Sequence, residues 1–132
     1  MNACVLYFSL TGNTKRFAET ISNSLNIPAF DLATSAPSIV ADYDVLILGT
    51  PVHGLSPAKP VSSFVKKLPK ANDKKTIIFS TYAIRKRKAN KKLEKELANM
   101  GYRTILSLSK RGFKLGEQDF ADSIKHITEV LE

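Results

Sequence analysis

Short continuous apolar runs alternate along this chain with stretches whose apolar positions recur every three or four residues. Cys4-Val5-Leu6-Tyr7-Phe8 and Val45-Leu46-Ile47-Leu48 have the pattern of strands buried on both faces of a sheet. Thr76 to Ser80 and Tyr102 to Leu108 supply two more, and Ile27 to Leu32, interrupted by Pro28, reads as a brief edge strand. Helical spacing places Phe17, Ala18, Ile21 and Leu25 on one face, and Val61, Phe64, Val65 and Leu68 on another. A third helix carries Ala89, Leu93, Leu97 and Met100, and a fourth Phe120, Ala121, Ile124, Ile127 and Leu131. Ser56 and Pro57 read as cap and first-turn proline of the second helix, which Pro69 ends; Gly101 stops the third, and acids from Glu117 open the fourth. Residues 33–42 are too few for a full crossover helix, so a single turn around Ser38 to Ala41 is expected there.

Strands alternating with helices predict an α/β fold: a doubly wound, five-stranded parallel sheet of order 2-1-3-4-5 with helices on both faces. That order puts a ligand crevice at the carboxyl ends of strands one and three. Two unusual segments follow those strands, Ser9-Leu10-Thr11-Gly12-Asn13-Thr14 and Gly49-Thr50-Pro51-Val52-His53-Gly54. The first opens directly into a helix, whose unpaired N–H groups and positive dipole end favour an anion. Ser9, Thr11 and Thr14 add hydroxyls, Asn13 an amide, and Gly12 allows close approach or a positive φ. With no lysine or arginine inside this loop, mainly neutral donors are expected to hold the anion.

At 132 residues the whole chain, 1–132, is expected to form one domain. No apolar stretch approaches the roughly 20 residues of a membrane span, and the first residues lack a basic-then-apolar signal, so a cytoplasmic protein is expected. Cys4 is the one cysteine, which excludes an intrachain disulfide and reads as a small buried hydrophobe; no Cys/His cluster suggests a metal.

The first loop resembles that of the flavodoxin family, commonly Ser/Thr-x-Thr-Gly-Asn-Thr, which wraps the phosphate of flavin mononucleotide (FMN). The likeness extends through Gly49 to Gly54 with Pro57-Ala58-Lys59-Pro60, and through Ser80-Thr81-Tyr82-Ala83, over nearly the whole chain. It implies a flavodoxin-like fold and an FMN-binding electron carrier in which no catalytic side chain is required. By the same likeness, Thr50, Pro51, Val52, His53 and Gly54 line one side of the flavin ring, and Ser80, Thr81, Tyr82 and Ala83 the other side or its pyrimidine edge. Tyr82 is the candidate for stacking, and His53 for donating to or packing on the ring. A peptide at Gly54 would turn over to accept a hydrogen from the reduced ring, a motion that glycine permits cheaply.

Charge departs from the family, whose members are typically acidic. This chain carries a formal +8, of which +6 lies between Arg85 and Lys95: Arg85, Lys86, Arg87, Lys88, Lys91, Lys92 and Lys95 against Glu94. Ile84 and Arg85 stand where short flavodoxins commonly place glycine after Tyr-Ala. Positive charge there is expected to favour the anionic reduced ring and to steer an acidic redox partner such as a ferredoxin or a flavin/iron-sulfur reductase; a solvated helix face is the plain reading for Lys91, Lys92 and Lys95. A flavin-dependent oxidoreductase of this fold, resembling a nicotinamide or quinone reductase or a ribonucleotide reductase activator, is the alternative. A basic nucleic-acid-binding module is disfavoured, because no interleaved aromatics accompany the patch.

Overall fold

The computed structural model describes residues 2–53, 56–84 and 88–132, with the side chain of His53 left aside. Five strands run parallel: β1 (Ala3–Tyr7), β2 (Ala29–Asp31), β3 (Val45–His53), β5 (Lys74–Tyr82) and β6 (Tyr102–Arg111). A two-residue β4 (Ser56–Pro57) folds back antiparallel onto the end of β3, pairing Val52 with Pro57 and His53 with Ser56. The parallel strands lie in the order β2-β1-β3-β5-β6, the predicted 2-1-3-4-5 once the short β4 is set aside.

Alternating strand residues separate two cores. Leu6, Leu46, Leu48 and Ile78 face α2 (Lys59–Lys66) and α3 (Ala89–Ala98), while Val5, Ile47, Ile77 and Phe79 face α1 (Asn13–Leu25) and α4 (Ala121–Leu131). Phe17 of α1 packs between Phe79, at 4.6 Å between ring centroids, and Phe120, at 4.3 Å. This aromatic column lies on the face from which the first loop enters the helix.

Four local expectations need correction. Residues 49–53 continue β3 instead of forming a loop, because Gly49, Thr50 and Pro51 keep register with Phe79, Ser80 and Thr81. Ser56 and Pro57 do not start α2; Ala58 precedes it and Pro60 occupies the first turn, while Thr50 Oγ1 accepts from Ala58 N at 3.1 Å. Residues 32–42 form two 3-10 turns, Leu32–Thr34 and Pro37–Asp42, where one turn was expected. Finally, β6 runs on to Arg111, well past Leu108.

Candidate functional site

The carboxyl ends of β1, β3, β5 and β6 enclose a cleft of ≈ 180 Å³. Leu10, Thr11 and Asn13 line it from the first loop, Pro51 and Val52 from β3, and Thr81, Tyr82 and Ala83 from β5. Gly112 and Phe113, beyond β6, complete the wall. Enclosed small-molecule pockets commonly hold roughly 300–1,000 Å³. A ligand here therefore lies across an open surface with one side toward solvent. A broader hollow of ≈ 590 Å³ sits at the opposite, amino ends of β3, β5 and β6, against Tyr43, Lys74 and Tyr102, away from these loops.

Gly12 adopts φ +96°, and α1 begins after it with no side-chain cap. Among the described residues nothing accepts from the backbone N–H groups of Asn13, Thr14 or Lys15, the ordinary orphans of an α-helix start. Ser9 Oγ accepts from Gly12 N at 3.1 Å, holding the loop's curve and leaving its own hydroxyl hydrogen available. Thr14 and Thr81, both buried, share a hydrogen bond of 2.7 Å between their hydroxyls, tying the first loop to the end of β5.

Asn13 does not offer its amide to the cleft. Its Nδ2 donates to Gly112 O (3.2 Å) and Phe113 O (3.1 Å), and its Oδ1 accepts from Leu115 N (2.9 Å) and Arg16 Nη2 (2.6 Å). The side chain is thus a strut between α1 and the segment after β6. Two residues expected beside the ring, Thr50 and Ser80, also turn their hydroxyls into the protein. Thr50 Oγ1 donates to Pro51 O at 2.8 Å, and Ser80 Oγ pairs with Ser109 Oγ at 2.9 Å; both residues are fully buried. Gly54, Arg85, Lys86 and Arg87, and the side chain of His53, fall outside the described residues, and with them the peptide turnover and three of the seven cations of the basic patch. Of the patch, Lys88, Lys91, Lys92 and Lys95 are exposed, with Lys92 Nζ donating to Ser56 Oγ at 3.0 Å.

Two residues at this end escaped the sequence reading. Arg16, one turn into α1, folds back over Gly12 so closely that a β-carbon on Gly12 would stand 2.8 Å from Nη1. Its Nε donates to Leu115 O at 2.7 Å, and among the described residues no carboxylate lies within salt-bridge distance of it. A cation without a carboxylate partner among the described residues therefore borders the first loop, next to the neutral donors expected to do most of the holding. Its position four residues after Gly12, one helical turn on, was the available signal. Phe113, 80% exposed, had no periodicity to mark it. None of the described cleft-lining residues carries a carboxylate, which leaves these surroundings favourable to an anion.

Away from the cleft, burial pushes the Cys4 thiol up from 9.0 to about 12, with Lys74 opposing weakly. Among the described residues no group of His, Cys, Asp and Glu could hold a metal, and no helix is long and apolar enough to cross a membrane.

The family described as Flavodoxin domain matches residues 4–110. An uncharacterised protein of Methanocaldococcus jannaschii is 29% identical over 116 residues, covering 86% of this chain and 77% of its own length. In fold, the chain is similar to oxidised flavodoxin 1 from Bacillus cereus, with TM-score 0.82, 19% identity, and coverage of 99% and 97% of the two chains. It is also similar to a flavodiiron core from Synechocystis, with TM-score 0.71 and 19% identity, covering 96% of this chain but 36% of that one.

Proposed function

The chain belongs to the flavodoxin domain family, and from that premise we propose that it binds FMN across the cleft and carries electrons between other proteins. The observation that carries this reading is the uncapped start of α1. Its free N–H groups, the left-handed Gly12 and the adjacent Arg16 together suit a phosphate, and an open cleft lies directly beside them. The residues present fit the group. The N–H groups of Asn13, Thr14 and Lys15 and the hydroxyls of Ser9 and Thr11 would hold the phosphate, Arg16 would supply countercharge, and Pro51, Val52, Tyr82 and Ala83 would border the ring. Bound FMN supplies one- or two-electron transfer.

The protein's part is to grip, orient and partly dry the ring while leaving an edge accessible. An open cleft supports a carrier, since a partner's redox centre could approach without passing through a closed pocket. Lys88, exposed just before α3, and Lys91 and Lys95, exposed on it, would steer an acidic protein such as a ferredoxin to that edge. The similarity to part of a flavodiiron core favours a second reading, a flavin module that acts within a larger oxidoreductase.

Fluorescence titration of the purified chain with FMN and riboflavin tests the binding. Tighter binding of FMN is expected, and failure to bind either flavin would overturn the proposal. Stopped-flow mixing then separates the two readings: fast exchange with a reduced ferredoxin marks a carrier, and rapid direct reduction by a nicotinamide nucleotide marks an enzyme.

A further inference from the structure

Four large hydrophobic side chains stand exposed among the described residues: Leu10, Ile84, Phe113 and Val130. Two of them, Leu10 and Phe113, line the cleft, and a third, Ile84, directly follows the lining residue Ala83 in the chain. A single exposed apolar residue is ordinary, whereas a cluster at a concave site indicates something that covers it. Phe113 is the most exposed of the four, at 80%.

The segment that presents it is fixed on every side. Gly112 N donates to Tyr82 O at 3.0 Å, and Asn13 Nδ2 donates to the carbonyls of Gly112 and Phe113. Asn13 Oδ1 takes the Leu115 N–H, Arg16 Nε reaches Leu115 O, and the Leu115 side chain is buried in the core. Arg111 Nε reaches across to Ala83 O at 3.3 Å. None of these ties uses the Phe113 ring, so burial of that ring does not explain the loop's shape. The loop is built and the aromatic is left in water beside Tyr82.

We propose that Phe113 is a wall of the flavin site, contributed by the segment after the last strand, and that its ring covers part of the isoalloxazine. This rests on the flavin-binding reading above. Asn13 makes the wall continuous with the phosphate end, because the residue that opens α1 also holds Phe113 in place. A flat apolar ring laid on another gains both burial and offset stacking, with no need for a hydrogen-bonding partner.

Because the Phe113 ring is largely solvent-exposed, Phe113→Ala removes it with little effect on folding. The test measures dissociation constants for FMN and for riboflavin, with the visible absorption and circular dichroism of the bound flavin, in the wild type, Phe113→Ala and Phe113→Tyr. Loss of one stacked aromatic typically weakens a planar ring ligand by about fivefold to a hundredfold. Phe113→Ala is therefore expected to weaken both flavins by a similar factor in that range and to shift the bound-flavin bands, and Phe113→Tyr to restore both. If the wild type binds flavin and Phe113→Ala binds both forms as tightly with an unaltered spectrum, this inference falls and the flavin reading stands. If the wild type binds neither flavin, both fall.

Discussion

Replacing Asn13 by alanine separates two roles that the sequence and the structure give this residue. As a phosphate donor, its loss would weaken FMN and spare riboflavin. As the strut described above, its loss acts without any ligand. Asn13 is 6% exposed, and its Oδ1 is the acceptor for the buried Leu115 N–H. Stranding a buried donor costs about 1–3 kcal/mol, and each remaining neutral hydrogen bond contributes about 0.5–1.5 kcal/mol net. The freed carbonyls of Gly112 and Phe113 can turn to water, so about 2–4 kcal/mol is expected for Asn13→Ala. For a domain of this size that is a Tm lowered by roughly 6–15 °C. Hydrogen exchange by NMR in flavin-free protein localises the effect: at about 1.4 kcal/mol per decade, the Leu115 amide should exchange at least tenfold faster. The FMN-to-riboflavin affinity ratio should stay as in the wild type. Unchanged Leu115 exchange together with a fallen ratio would refute the strut and restore the donor.

Arg16→Gln should lower the FMN-to-riboflavin affinity ratio by about tenfold, with the difference shrinking in high salt, because the lost charge faces only the phosphorylated ligand; titration of both flavins at two ionic strengths checks this. Gly49→Ala places a β-carbon into the Phe79 ring at the centre of the sheet, and a loss of about 1–3 kcal/mol or more is expected in urea unfolding. Cys4 should resist a disulfide reagent at pH 8 in the folded protein and react at once in denaturant, since its thiol is fully buried and its pKa is pushed up to about 12. The neutral thiol is favoured by folding. Its contribution is therefore complete below about pH 9 and is lost as pH rises toward about 12, so alkaline unfolding should begin later in Cys4→Ala.

The sheet was legible because burial on both faces leaves an unambiguous mark, and Val45 to Leu48 admits few other readings. The edge position of β2 followed from Pro28, whose carbonyl accepts from Val5 N in the structure. Strand ends were harder. Gly49, Thr50 and Pro51 look like a turn by composition, yet pairing with β5 outweighs local preference, as tertiary context commonly does. Within the candidate site, a glycine-containing loop opening directly into a helix was readable from the sequence, whereas the lack of a side-chain cap there emerged only in the structure. The role of Asn13 was not readable, since three of its four partners lie 99 to 102 residues away, and nothing local announces such contacts. The same distance hid Phe113. It sits in an aperiodic segment whose place is decided by α1.

The bond between the Thr14 and Thr81 hydroxyls has room for one hydrogen between its two oxygens. Whichever threonine supplies it, the other has its own proton left to place elsewhere. Reversing the bond turns only this pair of O–H groups, so the tie between the start of α1 and the end of β5 holds in either direction with the main chain in place.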